Sequence, residues 1–201
     1  MRISLSAIPF LLGIALVSAV AAAQSPGAPA PALTLSDTGG NAVRLADFRG
    51  RYVVLEWTNP ECPFVRKHYT SRNMQDLQKA WTARDVVWLS INSTNASHFE
   101  WKTPAQMADW MRAQGAAQTA TLVDGTSAAA RAYAAKTTPQ MIVIGPDGNV
   151  LYNGAIDDRR STNPADVNVA HNYVSAALTE ARSGKPVTVA STTPYGCSVK
   201  Y

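Results

Sequence analysis

Short apolar runs that alternate with longer amphipathic segments constrain the fold of this chain more than any other feature. Runs of four to six mostly apolar residues are typical of buried strands, whereas apolar residues three or four apart are typical of helices. The predicted strands are 52–57, 86–91, 120–123, 140–144 and 150–154. The predicted helices are 63–83, 104–114 and 127–135, with a last helix inside 165–183. Such alternation predicts an α/β fold with parallel strands and helices on both faces of one sheet.

Two turns add antiparallel edges to this sheet. Polar and glycine residues at 36–41 separate short apolar segments at 33–35 and 42–45, which predicts an N-terminal β-hairpin. Residues 146–149 form a second turn between the last two predicted strands. We therefore predict a central mixed β-sheet.

The first 23 residues have the order of a secretory signal peptide. A positive start is followed by an apolar run at 8–20 and by small residues at 21–23. The strongly apolar core is shorter than the roughly 20 residues that span a bilayer, which favours cleavage over a membrane anchor. No cysteine lies near the cleavage site for lipid attachment. We expect a periplasmic or otherwise extracytoplasmic protein without stable membrane insertion after cleavage.

The mature chain is predicted to hold one domain. Residues 24–32 are rich in Pro, Ala, Gly and Ser and predict a flexible lead-in. Residues 33–184 form the domain, and 185–201 form a mostly irregular tail that carries Cys197. The net charge of +4 is small and scattered, which indicates a solvated surface and argues against nucleic-acid binding.

The two cysteines, Cys62 and Cys197, are the strongest chemical signal. Cys62 precedes Pro63 where a helix is predicted to begin, so free backbone N–H groups and the helix dipole favour the reactive thiolate. Arg66 falls on the same helix face and is expected to add positive charge. An inert buried Cys62 is the alternative. Two cysteines in an exported protein often pair, either as a structural bridge or as a functional pair.

Four features together resemble the thioredoxin-like superfamily, in its redoxin or peroxiredoxin-like (AhpC/TSA-type) branch. They are a strand ending at 55–57, Cys62 opening a helix, Thr138 and Pro139 before a strand, and the turn at 146–148. The resemblance covers about residues 31–184. It implies a thioredoxin-like fold and thiol–disulfide exchange with Cys62 as the nucleophile.

The resemblance also implies roles for residues around Cys62. Pro139 is expected to be a cis-proline that leaves the backbone of Thr138 free to bind an extended thiol substrate. Trp57 and Pro63 are expected to border the cysteine and to contact the substrate. Glu56 corresponds to a buried acid that moves protons during exchange, and burial should raise its pKa. The alternative for Glu56 is an ion pair or a strand-edge acid.

This sequence departs from the patterns of both thioredoxins and peroxiredoxins at Val65. Thioredoxins carry a second cysteine there, and peroxiredoxins carry their peroxide-attacking cysteine there with a threonine at the position of Cys62. Residues 196–201 resemble the tail of a peroxiredoxin-like subgroup with one active-site cysteine. We hypothesise that this tail folds back and that Cys197 resolves Cys62. The alternatives are a static bridge, or two cysteines that never meet.

No cofactor or metal site is predicted. The three histidines, at 68, 98 and 171, are not spaced as metal ligands, and His68 is expected to be a surface or packing residue. Residues 157–160 are expected to form a solvated charged loop, or else to help shape the site. The sequence thus predicts an exported thiol–disulfide oxidoreductase that exchanges electrons with a protein thiol or disulfide partner. A thiol-dependent peroxidase (an antioxidant role) and a non-enzymatic binding protein or metallochaperone are the alternatives.

Overall fold

A seven-stranded mixed sheet organises the computed structural model, which describes residues 25–201. Its strand order is β2-β1-β5-β4-β3-β7-β8. The strands are β1 (Thr34–Asp37), β2 (Ala42–Arg44), β3 (Val53–Trp57), β4 (Val87–Asn92), β5 (Ala120–Val123), β7 (Gln140–Ile144) and β8 (Val150–Gly154). Strands β3, β4 and β5 are parallel, whereas the β1–β2 and β7–β8 hairpins are antiparallel. The predicted α/β architecture is confirmed, while the predicted signal peptide lies outside the described residues.

In the described part of the chain, five α-helices connect and cover these strands. They are α1 (Pro63–Thr70), α2 (Asn73–Thr82), α3 (Pro104–Gln114), α4 (Ala128–Ala132) and α5 (Tyr173–Arg182), with 3-10 helices at Leu45–Phe48 and Pro164–Val169. Local signals set their ends: Thr103 and Gln106 form a capping box on α3, and Gly115 ends it in a left-handed conformation. Within residues 25–201, no helix has the length and apolar character needed to cross a membrane.

The single helix predicted over 63–83 is wrong, because the chain breaks it in two. Ser71 ends α1, and Arg72 takes a left-handed φ of 65° before α2 begins. The break leaves carbonyl groups of α1 without helical partners. The buried amide of Gln75 donates to one of them, the Tyr69 carbonyl, at 2.9 Å. Apolar spacing continues across the break, so periodicity alone does not reveal it.

Alternation along β3 divides the core into two layers. Successive side chains of a strand point to opposite faces. Val54 therefore faces the layer covered by α1, α2, α3 and α5, whereas Leu55 and Trp57 face the layer covered by α4 and the N-terminal segment. Cys62 belongs to the first layer.

The segment predicted as a flexible lead-in has regular backbone partners from residue 27 onward. Gly27 N–H donates to the Val150 carbonyl at 2.8 Å, and Ala30 N–H donates to the Gly148 carbonyl at 3.0 Å. These bonds fasten the segment along β8 and its turn. Composition alone does not predict them, since only the folded hairpin presents these carbonyls.

The C-terminal tail, predicted to be mostly irregular, contributes one more strand. Its residues Cys197–Ser198 (β9) pair antiparallel with Thr137–Thr138 (β6) as a separate two-stranded sheet. This pairing brings the end of the chain to the beginning of α1.

Candidate active site

Cys62 lies at the N-cap of α1, with Pro63 at the first helical position, as predicted. The residue is only 1% exposed, while Pro63 beside it is exposed. The Cys62 thiol donates a hydrogen bond to the Thr138 carbonyl oxygen, at an Sγ–O distance of 2.9 Å. A reagent must therefore displace neighbouring groups before it reaches the sulfur.

The Thr138-Pro139 peptide bond is cis, which confirms that prediction. This bond lies between β6 and β7, so the Thr138 carbonyl faces the N-terminus of α1. The backbone of Thr138 is not free, however, because β9 pairs with it. The edge expected to bind a partner is occupied by the chain's own tail.

Cys197 is directly opposite Thr138 in the β6–β9 ladder. Its side chain packs against the core layer that contains Cys62. Both cysteines are reduced in this structure. Burial, and then the contact with Cys62, raise the pKa of Cys197 to about 12. Cys62, Thr138 and Cys197 thus form one junction.

Gly196 makes this close approach possible, and sequence reasoning missed its role. Its φ of 139° lies in the region that favours glycine. A Cβ there would lie 2.7 Å from the Thr138 carbonyl carbon and closer still to the carbonyl oxygen. The glycine next to Cys197 in the tail was the available signal, since glycine often marks a close backbone approach.

Arg66 does not face the cysteine as expected. Its guanidinium group pairs with Glu61 at 2.8 Å, and its Nε donates to the Pro60 carbonyl at 2.7 Å. Lys102 also pairs with Glu61, at 2.8 Å. These contacts hold the loop before Cys62 and direct the Arg66 charge toward Glu61.

Trp57 packs on the face of the sheet opposite to the core layer of Cys62. Its ring contacts Tyr133 with centroids 5.4 Å apart, and its indole N–H donates to the Ser93 hydroxyl at 3.2 Å. Trp57 enters this layer because one residue of strand register decides which face a side chain enters, and its place beside the cysteine stays a prediction.

Glu56 is fully buried on the α1 side of β3 and accepts several hydrogen bonds. The donors are Tyr69 at 2.9 Å, Gln78 at 3.1 Å, Trp88 at 2.8 Å and Ser90 at 2.8 Å. Burial raises the pKa of Glu56, although these hydrogen bonds oppose the rise. No hydrogen bond joins Glu56 to Cys62 in the part of the chain that the structure describes. The network links β3 to α1, α2 and β4.

The carboxyl group of Glu56 gives a testable pH dependence of stability. Above the ordinary glutamate value of 4.5, the unfolded chain releases this proton while the folded chain retains it. Stability is therefore fully present below pH 4.5 and is lost as the pH rises through the raised pKa of the folded state. Glu56→Gln should remove this pH dependence. In acid it should also lower the free energy of unfolding by about 1–3 kcal/mol, because the NH2 group of the glutamine would face a hydrogen-bond donor. Urea unfolding of both proteins across pH checks this, and parallel pH profiles would contradict it.

The charged loop at 157–160 departs from the expectation of a solvated segment. Asp157 is 2% exposed and accepts a hydrogen bond from the Tyr195 hydroxyl, whereas the three residues after it are exposed. His68 is buried near Asp157 and so is a packing residue.

Among residues 25–201, no group of three or more His, Cys, Asp or Glu side chains is placed to hold a metal ion.

Comparisons with solved structures give the fold of the chain. An uncharacterized conserved protein from Geobacillus kaustophilus is 26% identical, with a TM-score of 0.73, over 89% of this chain and 93% of that one. A hypothetical protein from Sinorhizobium meliloti 1021 is 24% identical, with a TM-score of 0.74, over 88% and 94%. The thioredoxin domain of a thiol-disulfide oxidoreductase from Bacteroides vulgatus is 19% identical, with a TM-score of 0.52, over 72% and 96%.

Sequence comparison gives the family. No curated protein matches the chain significantly. The model of the AhpC/TSA family matches residues 26–153, more than half of the chain and the part that holds Cys62, β1 to β7 and all but the last residue of β8. The chain belongs to the AhpC/TSA family, within the thioredoxin-like redoxin superfamily.

Proposed function

We propose that this protein is a thiol–disulfide oxidoreductase whose redox centre is the Cys62–Cys197 pair. The observation that carries the proposal is the junction in which Cys62 donates to the Thr138 carbonyl while Cys197 lies directly opposite Thr138 in the β6–β9 ladder. Val65 occupies the position where a thioredoxin holds its second cysteine. The C-terminal tail supplies the missing thiol from the opposite direction.

The proposed reaction proceeds by two exchange steps. The Cys62 thiolate attacks one sulfur of a partner disulfide, which forms a mixed disulfide and releases one partner thiolate. The Cys197 thiolate then attacks the Cys62 sulfur, forms the Cys62–Cys197 disulfide and releases the second partner thiolate. The partner gains two electrons and two protons, and the chain loses the same. A dithiol partner reverses both steps.

The environment of Cys197 supports this order of attack. With its pKa raised to about 12, Cys197 keeps its proton at neutral pH and is a poor first nucleophile. Two of the causes that raise this pKa are interactions with Cys62, and these disappear once Cys62 is bound in a mixed disulfide. Cys197 is then more readily ionised when its attack is required.

Partner binding requires the tail to move. Cys62 is buried and β9 covers Thr138, so an extended partner can pair with Thr138 only after β9 leaves. Exposed Pro63 and the cis Pro139 then border the opening. Trp57 contributes to the core beneath, and we propose no substrate contact for it.

We propose a structural role for Glu56 in place of proton transfer. Its hydrogen bonds go to Tyr69, Gln78, Trp88 and Ser90, which belong to the elements around α1. Glu56 therefore fixes α1, and with it Cys62, against the sheet. If the rate of thiol–disulfide exchange depends on pH in the wild type but not in Glu56→Gln, the result would support proton transfer by Glu56 instead.

The proposed location is extracytoplasmic. The signal-peptide pattern of residues 1–23 supports it, and a cysteine pair of this kind is typical of oxidising compartments. The electrons would be exchanged with a protein thiol or disulfide partner, and no cofactor is required for either step.

Thiol counting tests the proposed pair. After mild oxidation with oxidised glutathione, we expect no free thiol and a monomer two hydrogens lighter than the reduced chain. Reduction with dithiothreitol should restore two thiols. Cys197→Ser should instead retain glutathione on Cys62 as a stable mixed disulfide. Two thiols that remain free under oxidation would overturn the proposal.

A further inference from the structure

A buried polar cluster lies beside the cysteine pair, outside the reacting atoms. It consists of Lys67 and His68 on α1, Asp157 after β8, and Tyr195 in the tail. All four side chains are buried. Charged groups are rarely buried without pairing, so this cluster requires an explanation.

Hydrogen bonds and ion pairs join the cluster across three segments. The Tyr195 hydroxyl donates to Asp157 Oδ1 and lies 3.4 Å from His68 Nε2. Lys67 Nζ donates to the Arg159 carbonyl at 2.7 Å and lies 3.7 Å from Asp157 Oδ2. The tail is therefore fastened to both α1 and the loop after β8.

The charges inside the cluster balance. Lys67 and Asp157 form one cation–anion pair. Burial, and then the charge of Lys67, lower the pKa of His68 to about 3, so His68 is neutral. The Asn73 amide contacts His68 Nδ1 at 2.8 Å, which assigns the ring proton to Nε2. Burial and the bond to Asp157 raise the pKa of Tyr195, so its hydroxyl stays a donor.

We propose that Tyr195 and Asp157 are positioning residues that hold Cys197 against Cys62. The inference rests on the proposed function, in which Cys197 resolves Cys62. Tyr195 is separated from Cys197 by Gly196 alone, and its ring also packs on Phe64, two residues after Cys62, with centroids 5.8 Å apart. A shift at Tyr195 therefore transmits directly to the Cys197 sulfur. Past Cys197 the tail is held by Val199 N–H, which donates to the Lys136 carbonyl at 3.0 Å.

The cluster also permits the tail to leave. Asp157 Oδ2 is buried and accepts no hydrogen bond in this arrangement. Lys67 Nζ and His68 Nε2 lie within 4 Å of it, at 3.7 and 3.9 Å. If Tyr195 withdraws, a small shift lets both donors bond the carboxylate, so no unpaired buried charge results. The same residues can thus hold the tail for resolution and release it for substrate entry.

A trapping experiment tests the proposal on the full-length reduced protein. One equivalent of Ellman's reagent, an aromatic disulfide, labels Cys62 and releases one aryl thiolate. Attack by Cys197 then releases the second thiolate and forms the internal disulfide. Acid quenching followed by intact mass measures the labelled and the internally bridged chains over time. In the wild type the labelled chain should convert to the bridged chain.

Tyr195→Phe should change the two steps in opposite directions. It removes one hydrogen bond to a charged group, so conversion of the labelled chain should slow by roughly tenfold or more. Labelling of Cys62 should become faster, because the tail covers it less firmly. If Tyr195→Phe only lowered the stability of the fold, conversion of the labelled chain would not have to become slower. Asp157→Asn retains an acceptor for the Tyr195 hydroxyl. Its labelled chain should therefore convert faster than that of Tyr195→Phe and more slowly than that of the wild type.

Two controls separate the possible failures. Tyr52→Phe also loses one hydroxyl hydrogen bond, to the Ala181 carbonyl at 3.0 Å, but on a different part of the domain, and should match the wild type. Cys197→Ser should stay labelled. A wild type that stays labelled would refute the resolving cysteine itself. If the wild type and Tyr195→Phe convert at equal rates, only the positioning role is overturned.

Discussion

Replacing Cys62 with serine should reduce thiol–disulfide exchange to the rate of the uncatalysed reaction. Serine lacks an ionisable sulfur, so neither the mixed disulfide nor the internal disulfide can form at this position. The fold should survive, because the serine hydroxyl can still donate to the Thr138 carbonyl that Cys62 contacts. Reduction of a small disulfide, with dithiothreitol as the electron donor, measures the loss, and circular dichroism checks the fold.

Cys197→Ser is the matched variant for this experiment. It should still form one equivalent of mixed disulfide at Cys62, but it should lose turnover that depends on the internal disulfide. Equal turnover in Cys62→Ser and the wild type would refute Cys62 as the nucleophile. Consumption of hydrogen peroxide that disappears in Cys62→Ser would favour the peroxidase alternative, although Val65 stands where peroxiredoxins hold their reactive cysteine.

Gly196→Ala should push the tail away from Thr138 and nearly abolish internal disulfide formation. The new Cβ would overlap the Thr138 carbonyl, and the φ of 139° is one that alanine rarely adopts. Backbone strain of about 1–3 kcal/mol adds to the overlap, so we expect disulfide formation to slow by roughly a hundredfold. Quenched mass analysis after labelling with Ellman's reagent measures this rate.

Gly184→Ala controls for backbone strain without overlap. Gly184 also has a positive φ, of 71°, but a Cβ there would meet no atom within 4 Å. This variant should lose about 1 kcal/mol or more of stability while disulfide formation stays at the wild-type rate. If Gly196→Ala forms the disulfide as fast as Gly184→Ala, the close approach of the tail to Thr138 is not required for the reaction.

The elements that the sequence predicted correctly depend on local chemistry. Short apolar runs such as 140–144 favour buried strands, and Pro63 suits the first position of a helix because the N–H that it lacks would have no helical partner there. The cis bond before Pro139 followed from the resemblance to the thioredoxin-like superfamily and is present. The break at Arg72 did not follow, because the apolar spacing continues through it.

The arrangement around Cys62 was decided by tertiary structure. The sequence by itself determined that Cys62 opens a helix after a buried strand and that a second cysteine stands near the end of the chain. Which groups meet Cys62 depends on pairing between segments far apart in the chain, and neither periodicity nor spacing encodes such pairing. Only the folded chain places β9 on Thr138 and fastens Tyr195 to Asp157, because these contacts require close packing of side chains from several elements at once.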